Sequence, residues 1–317
     1  MAIYLRESEV QSLLTMEVTL AALEAAFKEW AAGEASNQPR RRVAAGTALA
    51  TMSAALPSKG LLGFKAYTAT QMGARFWVAL FDAADGRPRA LLEADWLGRM
   101  RTGAASGVAT RYLARNDATV LAVIGSGSQA LTQALAVAAV RRLGEIRVFS
   151  RNPQHRTGFV QELRDRLQDQ ISVVHASEIR QAIDGADIIT TITSAGRPIF
   201  PGSWLREGQH LNVCGSNIPD RREVDGRAIA RADLVVADDA DAARLEAGDL
   251  ILAERDGLWD WSRIRSLREV VAGMSDARQA SDVTLFKSVG LAIEDVAAAA
   301  AVLELAEANR VGRRLPD

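Results

Sequence analysis

Apolar side chains change their spacing along the chain, and each change marks a different kind of element. From Thr15 to Ala32 they recur at helical intervals (Val18, Leu20, Leu23, Ala26, Phe27, Trp30), with Thr15 placed to cap the helix and Gly33 to stop it. Between Arg41 and Leu92 the pattern becomes short apolar runs broken by turns. Leu61–Tyr67 and Phe76–Phe81 read as strands, and Asp85-Gly86 is a hairpin turn before the run Arg89–Glu93. A helix is expected over Leu97–Leu113. Apolar runs then appear at Val120–Ile124, Ile146–Phe149, Ile171–Val174, Ile188–Ile192, His210–Cys214 and Leu234–Ala237. Helical segments at Leu131–Arg142, Pro153–Leu167 and Ser177–Ile183 lie between them. This rhythm predicts an α/β fold of the Rossmann type, a doubly wound parallel sheet whose ligands lie at the strand carboxyl ends. Ala292–Ala308 is an alanine-rich helix with apolar stripes, suited to packing on the first part of the chain or on a partner subunit.

One junction in that alternation carries chemistry. The run Val120–Ile124 leads into Gly125-Ser126-Gly127-Ser128-Gln129-Ala130 and then into a helix. A dinucleotide pyrophosphate needs this order of strand, glycine turn and helix. Gly125 permits the tight turn, Gly127 lets the backbone approach the phosphates, and Ala130 lets helix and strand pack closely. The helix N-terminus then offers N–H groups and a positive dipole end to the anion. The second strand ends Phe149-Ser150-Arg151-Asn152 without the carboxylate that binds the ribose hydroxyls of NAD. Arg151 at that tip, with Arg156 nearby in sequence, favours NADPH, with NADH possible.

Composition removes several alternatives. The 317 residues favour about two domains, and the hydrophobic content of 48% and charged content of 24% are ordinary globular values. A net charge of −1 gives no electrostatic case for nucleic acid or a membrane surface. The start has no signal-peptide core, and no apolar run reaches the ~18 residues of a membrane span. Cys214 alone excludes an internal disulfide and a zinc set, which fits a reducing cytoplasm. His155, His175 and His210 have no partner at metal-ligand spacing, so no metal site is expected. Lysine occurs only at 28, 59, 65 and 287, which draws attention to Lys65 and Lys287.

Arg101-Thr-Gly-Ala-Ala-Ser106 followed by the glycine turn resembles the ornithine cyclodeaminase/mu-crystallin family. So do Asn212-Val-Cys-Gly-Ser-Asn-Ile-Pro219 with Arg222-Glu-Val-Asp225, and Thr284-Leu-Phe-Lys-Ser-Val-Gly290 with Glu294-Asp295. These matches run from Gln38-Pro39 to Asp295, nearly the whole chain. The resemblance implies a homodimer with a discontinuous α+β substrate-binding and dimerisation domain, residues 1–115 joined by 292–317. Residues 116–291 would form the dinucleotide domain. It also implies hydride transfer between a nicotinamide and the α-carbon of an α-imino or α-amino carboxylate. The carboxylate would be held by Arg41, which Arg40 and Arg42 neighbour closely enough to be confused with it, and by Arg101. Lys65 would bind the carboxylate or act as a general acid toward the substrate nitrogen. Thr102 would lie at the nicotinamide and phosphate side, Thr191 and Thr193 at the ribose, and Ser288 along the nicotinamide, with Lys287 structural.

Two departures from the family pattern sharpen this reading. Ornithine cyclodeaminases resemble this chain but carry an aspartate where Asn217 stands, and asparagine cannot serve as a general base at neutral pH. That favours an imine reductase or amino-acid dehydrogenase over an ornithine-type cyclodeaminase that recycles NAD internally. A nucleotide-dependent binding protein without turnover is the third alternative. Ala74-Arg-Phe-Trp77 replaces residues that are often polar in the family; Phe76 or Trp77 either lines the pocket or packs in the core.

Overall fold

The computed structural model describes residues 2–70, 73–168, 170–275 and 278–315. The chain forms two compact units, Met1–Ala104 with Gly290–Asp317, and Ala105–Val289. Residues 1, 316 and 317, the ends of the expected discontinuous domain, lie outside the described residues. The division falls inside the helix Asp95–Leu113 and not after residue 115. Packing explains the difference. Ala105, Ser106, Val108 and Ala109 are fully buried. Thr110 Oγ1 accepts from Asn212 Nδ2 at 2.9 Å, and the Leu113 carbonyl accepts from Thr284 Oγ1 at 2.9 Å. The later turns of the helix are therefore committed to the second unit.

The first unit is built on one sheet with strands β1 (Ile3–Leu5), β2 (Ser36–Asn37), β3 (Arg41–Ala45), β4 (Thr47–Leu56), β5 (Leu61–Thr70), β6 (Gly73–Asp82) and β7 (Pro88–Glu93). Their order is β1-β7-β6-β5-β4-β2, with β3 also paired to β4 and the short strand Arg313–Arg314 on the outer side of β1. All pairs are antiparallel except β1 with β7. The helix Met16–Ala31, capped by Thr15 Oγ1 accepting from Val18 N at 3.3 Å, packs against the helix Ala292–Asn309. The latter also lies on β4, β5 and β6. Along β5, Leu61, Gly63 and Lys65 are buried while Leu62 and Phe64 are exposed, the period-two alternation of a half-buried strand. A Cβ on Gly63 would come within 2.9 Å of both Leu80 Cδ2 and Val296 Cγ2, so a glycine there lets the helix approach the sheet.

The second unit is an eight-stranded sheet in which every pair is parallel. Its strands are β8 (Val120–Ile124), β9 (Glu145–Phe149), β10 (Ser172–His175), β11 (Ile188–Thr191), β12 (His210–Val213), β13 (Leu234–Ala237), β14 (Ile264–Ser266) and β15 (Thr284–Lys287). The order β10-β9-β8-β11-β12-β15-β13-β14 reverses direction between β8 and β11. Doubly wound sheets bind ligands at this reversal, outside the strand carboxyl ends. β14 and β15 have no counterpart among the six apolar runs expected. β14 has only three residues, and β15 has four, all buried, and ends in a lysine. No single helix among the described residues is long and apolar enough to cross a membrane.

Candidate active site

In the first unit the alternation of β5 turns Lys65 onto the covered face, where it is 2% exposed. Lys65 Nζ is 2.9 Å from Asp295 Oδ1. The same oxygen lies 3.0 Å from Arg101 Nε, and Arg101 Nη1 donates to Glu294 Oε2 at 2.8 Å. Both carboxylates belong to the first turn of the Ala292–Asn309 helix, where the dipole favours negative charge. Gly290, two residues before that helix, has φ +80, and a Cβ there would sit 2.6 Å from Arg101 Nη1. Arg40 Nη2 donates to the Gly290 carbonyl at 3.3 Å. Desolvation, with the charges of Arg101 and Arg40, lowers Lys65 to about 8 against the attraction of Asp295.

The arginine beside this cluster is Arg40, not Arg41. Arg41 begins the fully exposed strand β3, paired across to Thr51, whereas Arg40 lies just before the strand. Thr102, on the helix that carries Arg101, is buried and donates through Oγ1 to the Gly98 carbonyl at 2.8 Å. On β6, Phe76 is the cross-strand partner of Tyr67, and the two rings stack with centroids 5.2 Å apart. Phe76 faces the Lys65 side, with its centroid 5.0 Å from Lys65 Nζ. Trp77 points the other way and stacks on Tyr4 at 6.2 Å.

In the second unit the end of β8 forms the expected glycine turn. Gly125 has φ +125, and a Cβ would lie 2.3 Å from the Ile192 carbonyl oxygen, so no other residue fits. A Cβ on Gly127 would meet nothing within 4 Å, which leaves open space above the turn. Ser126 Oγ donates to Ser150 Oγ at 2.8 Å, tying the turn to the tip of β9. Ser128 is exposed at the turn and Gln129 precedes the helix Ala130–Val140, in which Ala130 N donates to the Gly127 carbonyl at 2.9 Å and the next N–H groups have no intrahelical partner. Gln129 Oε1 is a buried acceptor without a hydrogen-bond partner among the described residues. Open space above a glycine, a helix N-terminus and an orphaned acceptor together fit a dinucleotide. Arg151 is exposed at the tip of β9, and Arg156 Nη1 donates to the Ser150 carbonyl at 3.4 Å.

A second buried charge cluster lies at the ends of β11, β12 and β15. Glu223 accepts from Thr191 Oγ1 at 2.9 Å, from Thr193 N and Oγ1 at 2.7 Å each, and from Gly215 N at 2.6 Å. Thr191, expected at the ribose, is fully buried, with its hydroxyl engaged by Glu223 inside the unit. Thr193, two residues further, is half-buried. Lys287 Nζ donates to the Ser216 carbonyl at 2.6 Å and lies 2.8 Å from Asp249 Oδ2. Asp249 Oδ1 in turn accepts from the Glu223 and Val224 amides at 2.7 and 3.1 Å. Ser288 is buried and donates to Asp238 Oδ2 at 3.2 Å. Asn217 is half-buried, its Nδ2 donating to the Val289 carbonyl at 3.4 Å.

Desolvation pushes the Cys214 thiol up to about 12 and His210 down to about 3, so neither offers a thiolate or an imidazolium. Sequence reasoning gave no role to Glu294, Asp295, Glu223 or Asp249. The first three stand inside quoted motifs; Asp249 had no signal of its own.

A parallel sheet with a glycine turn at its reversal point defines a dinucleotide-binding protein, and the other unit carries a cluster of Lys65, Arg101 and Arg40 beside two carboxylates. The chain belongs to the ornithine cyclodeaminase/mu-crystallin family, whose model matches residues 2–310. The Δ1-pyrroline-2-carboxylate reductase of Bacillus cereus is 39% identical over 240 residues, 75% of this chain and 73% of its own length. The structure of the Thermococcus litoralis Δ1-pyrroline-2-carboxylate reductase, in complex with NADH and L-proline, is 32% identical with a TM-score of 0.92. The match covers 99% of this chain and 100% of that one. An archaeal alanine dehydrogenase dimer with bound NAD is 30% identical with a TM-score of 0.92, covering 99% of each chain.

Proposed function

We propose that this chain is an NAD(P)H-dependent oxidoreductase that reduces an α-imino acid, a ketimine, to the L-amino acid, or carries out the reverse dehydrogenation. The observation that carries this reading is the gathering of Arg40, Lys65 and Arg101 in the first unit, where the two guanidinium groups help lower a lysine that Asp295 alone would raise. Guanidinium and ammonium groups brought together in this way suit a substrate carboxylate. The relatives named above act on substrates of this kind.

In this reading Arg101 and Arg40 hold the substrate carboxylate, with Arg41 outside the pocket. Lys65 pairs with the same carboxylate or donates a proton to the substrate nitrogen. A lysine lowered to about 8 exchanges its proton readily near neutral pH. Within the second unit Gly125, Ser126, Gly127, Ser128 and Gln129 hold the pyrophosphate, Ser150 and Arg151 the adenosine ribose, and Thr193 and Ser288 the nicotinamide half. Bound there, the cofactor supplies the hydride. Arg151 favours NADPH, with NADH accepted. Asn217 can donate and accept hydrogen bonds but takes no proton. Positioning supplies much of the rate, because a correctly oriented reactant replaces a rare encounter.

We also infer a homodimer. Val43, Leu49, Leu62 and Phe64 are exposed on the sheet face opposite Lys65, an apolar surface of the kind a partner subunit covers.

The test is NADPH consumption with Δ1-pyrroline-2-carboxylate, Δ1-piperideine-2-carboxylate, and pyruvate plus methylamine. Net oxidation with formation of the L-amino acid is expected. Ammonia release from L-ornithine without net redox would make the chain a cyclodeaminase, and cofactor binding without turnover would make it a binding protein.

A further inference from the structure

Tyr67 and Phe76 have no part in the chemistry described so far, yet they stand closest to its lysine on the open side of β5 and β6. Going along β5, the covered face presents Leu61, Gly63, Lys65 and then Tyr67; along β6 it presents Leu80, Val78 and then Phe76. The first residues of each series are buried under the Ala292–Asn309 helix. Tyr67 and Phe76, past the position of Asp295, are only half-buried. Their rings stack 5.2 Å apart with an interplanar angle of 29°, giving one continuous aromatic surface. Lys65 Nζ lies 5.0 Å from the Phe76 centroid and 5.7 Å from that of Tyr67.

We infer that Tyr67 and Phe76 form the wall that receives the α-substituent of the substrate, which selects α-imino acids with an uncharged cyclic or aromatic substituent. The inference rests on the functional reading above, in which Lys65 meets the substrate carboxylate. A carboxylate paired with Lys65 then carries its substituent within one side chain's length of both rings. Apolar substituents gain contact area and ring stacking there. A bare methyl group reaches little of the wall. A second ammonium on the substrate meets the like charge of Lys65, whose Nζ already lies over both rings, and is repelled. Trp77 takes no part, because it faces the other side of the sheet against Tyr4.

The experiment compares kcat/KM for two larger imines, Δ1-piperideine-2-carboxylate and the phenylpyruvate–methylamine imine, with that for the pyruvate–methylamine imine. The unaltered protein should favour the larger imines by at least about tenfold, the discrimination that a few buried methylenes provide. Phe76→Leu, which keeps apolar volume but removes the ring, and Tyr67→Val should each shrink that ratio severalfold. Trp77→Phe should leave the ratio unchanged. Equal kcat/KM values in the unaltered protein, or an unchanged ratio in a folded Phe76→Leu variant, would overturn the inference. If no imine is turned over, the functional reading falls by itself. The wall is then judged by calorimetric binding of L-pipecolate, L-phenylalanine, L-alanine and L-lysine in the presence of NADP+. Preference for the first two keeps the wall, and its absence removes it.

Discussion

Lys65 and Lys287 are both buried, and each has a carboxylate oxygen within 3 Å, at 2.9 and 2.8 Å, yet their surroundings push them in opposite directions. Burial lowers Lys287, but Asp249 and Glu223 outweigh it and raise the lysine above its ordinary range. Burial also lowers Lys65, and there Arg101 and Arg40 add to the effect, so that Asp295 fails to compensate and the lysine falls to about 8. The distance to the nearest carboxylate therefore does not set the direction of the shift. The balance of charge in the next layer does. Lys287 has Asp249 and Glu223 around it, and Lys65 has the guanidinium groups of Arg101 and Arg40.

The largest effect expected from this contrast is on stability. Lys287→Met leaves Asp249 and Glu223 buried without their cation and frees the Ser216 carbonyl. It should cost about 3–5 kcal/mol, the usual penalty for breaking a buried pair from one side. Denaturant unfolding at neutral pH measures it. The sign of the pH dependence follows from the raised value. The stabilisation by Lys287 is complete below the unfolded lysine range and is lost as pH rises through the higher folded value. A stability loss below about 1 kcal/mol would erase the distinction between the two lysines.

Lys65→Met should act on turnover instead. It keeps the stem and removes the charge and donors, and a cost of at least about a hundredfold in kcat is expected for a general acid. In the unaltered protein kcat/KM for imine reduction should fall as pH rises through about 8, because neutral Lys65 neither pairs with a carboxylate nor donates a proton. The variant should lack that limb. Its stability should hold, since Arg101 remains on Asp295, and the linkage runs opposite to that of Lys287. A folded value of about 8, below the unfolded one, means that charged Lys65 costs stability below pH 8, a cost relieved as pH climbs toward the ordinary lysine range. Unchanged turnover with normal NADPH binding would remove Lys65 from the mechanism.

The two clusters also differ in how far the sequence exposes them. The strands β8 and β13 and the helix Pro153–Leu167 are legible to the residue, because apolar runs and capping residues such as Asn152 are local signals. Gly125 is legible because a turn this tight admits nothing else. β15 is not, since a four-residue strand ending in a buried lysine has no apolar signature and gains its place only from β12 and β13 on either side. Arg40 and Arg41 cannot be separated from sequence. Which of two adjacent arginines meets Lys65 depends on where β3 starts pairing with β4. The roles of Asp295 and Glu223 are equally hidden, because their partners lie far away in sequence, at Lys65 and at Thr191 and Thr193.

The smallest effect belongs to the cofactor end, where no buried charge is at stake. Arg151 is exposed at the tip of β9, and Arg156 flanks the same Ser150 backbone. An exposed guanidinium on a 2′-phosphate contributes at the low end of charge-assisted hydrogen bonding, about 1.5 kcal/mol or roughly tenfold in affinity. Arg151→Asp removes that contact, repels the phosphate and offers a carboxylate to the ribose hydroxyls of NADH. Fluorescence titration should show the NADPH preference erased or reversed, with Arg156 retaining part of the original affinity. The alkaline limb at about pH 8 should stay where it is, because Arg151 is not among the charges that lower Lys65. Equal affinity for NADPH and NADH in the unaltered protein would withdraw the preference. A limb that moved with Arg151→Asp would mean that the pH dependence arises at the cofactor end and not at Lys65.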